Sequence, residues 1–541
     1  MSAVEQLVTH HLDLWSSAIK RRSGAGRGSS KKIELYGIKK LRELILELAI
    51  RGLLVTQNPN DEPASELLSR ITAEKNNLVK EGKIKKGKPL PPIGNEEIPF
   101  QLPKGWTWVR NAHLFSLRKG KVPKDISENG TIPYLDIEAL DRGNIRRYTN
   151  DTKIPLATAK DLLVVCDGSR SGLVLDGMDG AIGSTLAVID TLPFISPFIK
   201  LIFRHGYERL NSSLKGAAIP HLDTKKLLTE ISGLPSLEEQ YRIVSKVDEL
   251  MALCDRLEQQ TETSISAHQA LVEILLGSLI QSIAHAEPLG ACSGKTAFEN
   301  SWERIATHFE TLFTTENSIE QLKEAILFMA VNGMIVGFPP NSKKGKLSEF
   351  LSFGPRNGFS PKESSIETGQ QVLKLGATSY GFLDLSQAKF FDDEIPEKSH
   401  LWLKAGDILL QRGNSHIFVG SNVLVENDIN NIIYPDLMMK LRVVTDASPK
   451  YVSMWLSAPP AREHMWKRMT GTSGTMPKIS KGVVEDISII LPPMDIQEQT
   501  VSQVMKLVEL CDQLKDRLSV AQTTKLHLAD AITEQALKRS S

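Results

Sequence analysis

The sequence is short of cysteine, and Cys166, Cys254, Cys292 and Cys511 form neither a CxxC pair nor a cluster with histidine. That excludes a disulfide framework and a thiolate zinc site, and fits reduced thiols in a cytoplasmic protein. No run of about 18 consecutive apolar residues occurs, so no membrane association is expected. Near the N-terminus Glu5, His10, His11 and Asp13 interrupt the apolar stretch that a secretory signal needs. An excess of one charge is also missing, because 65 Lys and Arg stand against 64 Asp and Glu. A polyanionic partner would therefore meet a local basic surface, not a basic protein. One such stretch exists: Arg110, Arg118, Lys119, Lys121 and Lys124, followed by Arg142, Arg146 and Arg147. With 541 residues, 41% of them hydrophobic, the chain is long enough for several globular domains.

What the sequence does have is an internal repeat. Leu41–Pro59 and Leu322–Pro340 agree at eight of nineteen positions, including Gly52 with Gly333 and Val55 with Val336. Leu234–Leu257 and Leu491–Leu514 agree at eleven of twenty-four without a gap, and both hold the string Leu-Cys-Asp-x-Leu. A weaker third match pairs Glu5, Thr9, His10 and Leu14 with Glu303, Thr307, His308 and Leu312. Three matches in the same order define a unit of helices, a long variable stretch and a further helix, used twice.

The variable stretches, residues 97–233 and about 345–490, barely resemble each other. Both are cut by Gly, Pro, Asn and Asp into short apolar runs such as DLLVVCDGS, STLAVID, GDILLQRG and NVLVEND, which predict short strands joined by turns. After each stretch comes an apolar seam at heptad spacing. Leu507, Cys511, Leu514, Leu518 and Leu528 mark the second seam, and Leu250, Cys254, Leu257 and Leu271 the first, whose middle is polar. Neither helix can bury its stripe alone, which predicts an antiparallel pair of helices about 65 Å long holding the two variable domains apart.

Motifs for chemistry fall short. Gly290-Ala-Cys-Ser-Gly294-Lys295-Thr296 has one residue too few between its glycines for a phosphate loop and no strand before it. Gly24-Ala-Gly26-Arg-Gly28 lies in a basic linker without the strand of a dinucleotide fingerprint. No Asn/Asp-Pro-Pro-Tyr/Phe string of an amino-methyltransferase is present. Asp436 with Lys440 supplies one carboxylate, too few for a Mg²⁺-dependent nuclease. The chain is expected to be non-catalytic and to bind no metal.

Side chains suited to base edges and phosphates gather in glycine- and serine-rich loops. In the first variable stretch these are Arg118, Lys119, Lys121, Ser169, Arg170 and Ser171. In the second they are Arg412, Asn414 and His416 after the GDILL run, then Thr472, Ser473 and Lys478. The loops Lys215–His221 and Thr470–Lys478 also correspond.

Two unlike domains, each followed by a repeated helix, resemble the specificity subunits of type I restriction-modification enzymes. The resemblance rests on Leu102-Pro103-Lys104-Gly105-Trp106, on Leu234-Pro235-Ser236-Leu237-Glu238-Glu239-Gln240, on Leu491-Pro492-Pro493 and on Gly406–Leu410 followed by Arg412-Gly413. It implies an α+β protein with pseudo-two-fold symmetry. An N-terminal helical region would occupy 1–96, a first α/β target-recognition domain 97–235 and a central helical region 236–344. A second recognition domain would occupy 345–492 and a C-terminal helix 493–541. The partners implied are double-stranded DNA, two methyltransferase subunits and restriction-translocase subunits. No cofactor is implied on this chain, with S-adenosylmethionine, ATP and Mg²⁺ on the partners. Two departures stand out: the second domain lacks a Leu-Pro-x-Gly-Trp opening, and residues 1–96 are long enough to suggest an added partner contact. Other readings open at this point are a pseudo-symmetric protein scaffold that never touches DNA, and a nucleotide-dependent enzyme using Lys295.

Overall fold

The computed structural model describes residues 10–21, 33–82, 89–212, 221–284, 292–471 and 476–539. Glu5, Thr9, most of the basic linker, Thr472 and Ser473 lie outside them. The chain divides into two units, one of residues 1–263 with 522–541 and one of residues 264–521.

In the first unit, α1 (Leu12–Ser17), α2 (Tyr36–Ile50) and α3 (Ala64–Lys80) come first. Helix α2 buries Ile38, Leu41, Ile45 and Leu48, which recur at three- and four-residue steps. Helix α3 buries Ala64, Leu67 and Ile71 in one core with Val109, Leu114 and Phe115. Its apolar face is thus taken up inside the unit. Lys75, on the same helix, donates to the carbonyls of Ala112 and His113 at 3.1 and 3.0 Å, and burial pulls its ammonium down to about 8.

Ten strands follow: β1 (Thr107–Arg110), β2 (Phe115–Lys119), β3 (Ile132–Leu135), β4 (Tyr148–Thr149), β5 (Leu156–Ala157), β6 (Leu162–Val165), β7 (Val174–Asp176), β8 (Gly180–Ile182), β9 (Leu186–Thr191) and β10 (Ile231–Leu234). They form a β2-β9-β6-β7 sheet, a β4-β3-β8-β5 sheet and a β1-β10 clasp. Strand β6 is buried throughout because it has a core on each face. Leu162 and Val164 pack towards α3 and α4 (Ser196–Ser212), while Leu163 packs with Leu135, Ile182 and Val188. Beyond β10, helix α5 (Leu237–Ala284) begins in this unit and ends in the other.

The second unit holds α6 (Cys292–Thr307), α7 (Glu316–Val331), strands β11 to β20, and helices α8 (Pro449–Ser457) and α9 (Pro459–Lys467). The strands are β11 (Lys343–Lys346), β12 (Leu351–Asn357), β13 (Gln371–Leu373), β14 (Ala388–Phe390), β15 (Trp402–Leu403), β16 (Ile408–Gln411), β17 (Asn422–Leu424), β18 (Ile429–Ile433), β19 (Met438–Val443) and β20 (Ser488–Leu491). Their sheets are β12-β19-β16-β17, β14-β13-β18-β15 and β11-β20. Adding ten to each strand number of the first unit reproduces this order, including the one parallel neighbour pair, β3-β8 and β13-β18. Two stretches that barely match in sequence therefore share one topology. Strand β11 occupies the place of β1, so the second domain opens on Lys343–Lys346 without the Gly-Trp motif.

The repeated helices carry repeated devices. Helix α2 stops at Gly52 (φ +71°) and α7 at Gly333 (φ +70°). In each case the next N–H, of Leu53 or Met334, donates five residues back, to Leu48 or Met329, at 2.9 Å. Gln240 and Gln497 donate to the carbonyls of Pro235 (3.2 Å) and Pro492 (2.7 Å), fixing the chain where α5 and α10 (Met494–Arg539) begin. Gln497 also donates to Asp446 and accepts from the Ser448 N–H.

In the first unit, Leu250 and Cys254 are buried and Leu257 is half-buried, in a core shared with Leu526, Ala529 and Ile532 of α10. In the second, Cys511 is buried and Leu507, Leu514 and Leu518 are half-buried, against Val272, Leu276, Leu279 and Ile283 of α5. Two expected seam residues face outward: Leu271 is 49% and Leu528 48% exposed, and the buried positions are Val272 and Ala529, one residue on. A 3.6-residue helix drifts by about 20° per heptad, which carries the stripe off a strict four-three register. One window of Leu237–Ile283 is long and apolar enough to span a membrane by length and composition alone. Part of its apolar surface, Val272, Leu276, Leu279 and Ile283, lines this protein core.

Candidate nucleic-acid interface

The two loops singled out in the sequence are the tips of equivalent hairpins. Residues 166–173 join β6 to β7, and residues 412–421 join β16 to β17. Gly172 N–H donates to Val165 and Gly420 N–H donates to Gln411, each at 2.8 Å. The two glycines have φ of +90° and +81°, the left-handed conformation that costs a side-chain-bearing residue strain. A returning segment then crosses each base: Leu222 N–H donates to Cys166 and Ile479 N–H to Arg412, at 2.7 and 2.8 Å. Isolated bridges pair Asp167 with His221 and Gly413 with Lys478.

A helix holds each tip from behind. In the first unit Asn211, at the end of α4, donates to the carbonyls of Ser169 (2.9 Å) and Ser171 (3.2 Å). In the second unit α9 supplies two clamps. Arg462 donates to the Ile417 carbonyl at 2.7 Å and Trp466 Nε1 to the Val419 carbonyl at 3.0 Å. The Arg462 guanidinium also lies 4.9 Å from the Trp466 ring centroid. Burial draws Arg462 down to about 10, against the pull of Glu324 on α7. These clamps were not legible in the sequence, because each joins residues about 40 positions apart with no periodic signature.

The expected contact residues divide by what they already touch. Arg118 forks onto Asp190 (3.0–3.3 Å) and donates to the Leu156 carbonyl, bracing neighbouring strands. Lys119 pairs with Asp167 at 3.2 Å, and His221 approaches the same carboxylate at 2.7 Å. Burial opposes ionisation of Asp167, but these two partners hold it below the usual carboxylate range. Arg170 makes a two-pronged contact to Asp141 at 2.9 and 3.1 Å, which holds that carboxyl low. Ser169 is exposed and so is Lys121.

Ser171 departs from expectation. It is fully buried, its hydroxyl donating to Gly168 (2.8 Å) and Cys166 (3.2 Å), so its side chain shapes the turn and is turned away from any ligand. In the second unit Asn414 donates to Gln411 Oε1 at 2.6 Å, leaving it half-buried. Arg412 has a buried Nε with no hydrogen-bond partner among the described residues. His416 is exposed, 5.5 Å from the Trp466 ring, and Lys478 is exposed beside Gly413. Asp436 and Lys440 do not converge. Asp436 accepts from Ser360 Oγ, whereas Lys440 is buried against Asp407.

A further element braces the second tip. Fully buried Gln411 directs its amide at Leu375 O (2.9 Å), Thr378 Oγ1 (2.9 Å) and Ser379 Oγ (3.0 Å). This ties the turn at residues 375–385 to the hairpin tip. In the first unit Arg170 with Asp141 ties the tip to the corresponding segment after β3.

Comparison with known proteins follows the same lines. The family model described as type I restriction modification DNA specificity domain matches residues 103–267. The type I restriction enzyme EcoEI specificity subunit of Escherichia coli is 35% identical over 99% of this chain and 100% of its own length. The EcoAI specificity subunit of the same organism is 33% identical over the same shares. Among solved structures, the HsdS subunit from Thermoanaerobacter tengcongensis aligns over 81% of this chain and 98% of its own, at 18% identity and a TM-score of 0.40. By its identity to EcoEI and EcoAI along nearly the whole length of each, the chain belongs to the specificity subunits of type I restriction enzymes.

Proposed function

We propose that this subunit reads a split, asymmetric DNA target, each of the two strand-rich domains recognising one half. The carrying observation is the pair of hairpin tips: identical in strand topology, clamped alike, and unlike in the residues they present. A shared scaffold with divergent tips is what two readers of two different half-sites require. The recognition domains would span residues 97–235 and 345–492, with the helical regions 1–96, 236–344 and 493–541 as expected from the sequence.

In this reading α5 and α10 pair antiparallel as a spacer and dock two methyltransferase subunits. The support is a repeated outward face: Leu253 and Leu510, and Leu271 and Leu528, are equivalent positions in the repeat, and all four are 38–59% exposed. Equivalent apolar patches suit two copies of one partner. Restriction-translocase subunits join that complex. Adenine methylation, with its S-adenosylmethionine, and the ATP- and Mg²⁺-dependent steps belong to the partners, and this chain is non-catalytic. The complex works in the cytoplasm.

Methylome sequencing of cells with and without this chain tests the proposal. The expected result is one bipartite adenine-methylated motif that vanishes with the chain. Methylation indifferent to sequence, or unchanged on deletion, overturns it in favour of a scaffold that never contacts DNA.

A further inference from the structure

The two hairpin tips differ in chemistry as well as sequence. Beside the first tip, the segment after β3 carries Arg142, Arg146 and Arg147, and no large hydrophobic side chain is exposed between residues 136 and 147. Beside the second tip, the equivalent segment after β13 exposes Tyr380 (72%) and Phe382 (62%), and the tip itself exposes Ile417 (65%). The Tyr380 ring meets Phe418 edge-on, with centroids 5.9 Å apart, so turn and tip form one surface.

This ridge is held rigid while its apolar groups face outward. Gln411 fastens the turn to the tip, Asp384 N–H donates to Ala377 at 2.9 Å, and Leu383 packs inward on the sheet core. Arg412 and Lys478 stand at the base of the same tip, and Arg462 clamps it from behind. An apolar surface at a tip whose base carries Arg412 and exposed Lys478, continuous with the proposed DNA-reading loop, suits the major-groove edge of an A·T pair. There the thymine C5 methyl is the apolar feature, and the phosphates on either side are anionic.

We infer that Tyr380, Phe382 and Ile417 form an apolar reading surface that packs against thymine methyl groups in the half-site read by the second domain. The equivalent segment of the first domain, residues 136–147, presents charged and polar groups in its place. The inference rests on the proposal that the chain selects a DNA target.

The test uses the assembled complex with its methyltransferase subunits and duplexes carrying the motif found by methylome sequencing. Thymines in the half-site assigned to the second domain are replaced by deoxyuridine, which removes only the methyl groups. Wild-type complex should bind the substituted duplex several-fold more weakly. The Tyr380→Ala/Phe382→Ala variant should bind the unmodified duplex about ten-fold more weakly than wild type and show no further loss with deoxyuridine. Substitution in the other half-site should leave this ridge without effect. Equal binding of both duplexes by wild type, or an undiminished deoxyuridine effect in the variant, overturns the inference, as does a half-site without thymine. Loss of methyltransferase subunits from the variant, with DNA affinity otherwise intact, overturns it too and makes the ridge a protein contact. If wild type shows no preference for the motif at all, the failure is that of DNA selection itself.

Discussion

The ammonium of Lys440 lies 3.1 Å from the carboxylate of Asp407, and neither side chain is exposed. Lys440 sits on β19 opposite Leu409, the place that Val188 fills on β9 opposite Leu163. Where the first domain has an apolar contact, the second has a buried charge. It is satisfied by Asp407, by the Trp402 carbonyl at 2.8 Å and by the rings of Tyr434 and Phe353. Arg442 completes the pairing of Asp407 from the edge.

Breaking such a pair from one side costs more than never having it. Asp407→Asn should destabilise the second unit by about 3–5 kcal/mol, because it leaves the Lys440 ammonium buried without a counter-charge. Lys440→Met should cost less, since Asp407 keeps Arg442. Urea denaturation of the two variants measures the order, and equal losses would contradict it.

The clamps should separate affinity from discrimination. Asn211→Ala frees the carbonyls of Ser169 and Ser171, and Trp466→Phe frees that of Val419, without removing any cation. Each variant should lose about ten-fold in preference for target over unrelated duplex, while binding to unrelated DNA at low salt stays the same. Competition binding with target and scrambled duplexes checks this.

The hairpin glycines should differ in tolerance. A Cβ on Gly172 would lie 2.8 Å from Leu210 Cβ, which is fixed to its helix. On Gly420 it would meet the end of Met465, at 2.7 Å from Cε, and a thioether can swing aside. Both alanine variants carry backbone strain of about 1–2 kcal/mol. Gly172→Ala should therefore lower the melting temperature further than Gly420→Ala and relax recognition of the first half-site.

Acid should loosen the first unit through Glu47. The hydrogen bond from His205 at 2.5 Å, helped by Arg51 at 2.6 Å, holds this carboxyl at about 2, although burial works the other way. A carboxyl with a depressed folded pKa lends stability that is complete above its unfolded value near 4.5 and fades as pH falls to about 2. For a partly exposed group, screening trims that contribution to about 1–2 kcal/mol. Glu47→Gln should thus melt lower than wild type at pH 7 and converge with it near pH 2, as followed by thermal denaturation across pH.

The helices were legible because burial on one face writes itself into spacing, as at Ile38, Leu41, Ile45 and Leu48. Strands β6 and β16 were legible as continuous apolar runs, since each has a core on both faces. The common topology of the two domains was not, because it needs only the pattern of burial and leaves side-chain identity free, even to a lysine in place of a valine. The build of the candidate tips was half legible. Loop composition pointed to residues 168–172 and 411–416, but whether a serine faces inward, as Ser171 does, depends on turn geometry. Exposed aromatics such as Tyr380 leave no periodic trace at all.

The β1-β10 and β11-β20 clasps have a bearing on inheritance. Each brings the first and last strands of its domain side by side, so the chain enters and leaves the segment between Arg110 and Ile231, or between Lys346 and Ser488, at one two-stranded joint, while side contacts such as His205 to Glu47 and Gln497 to Asp446 brace the insert on the helices. An exchanged insert that keeps the clasp register and these bracing contacts should leave the register of α5 and α10 undisturbed. Under the proposed reading, recombination at the clasps would change the half-site read and leave the helical faces proposed for docking as they are.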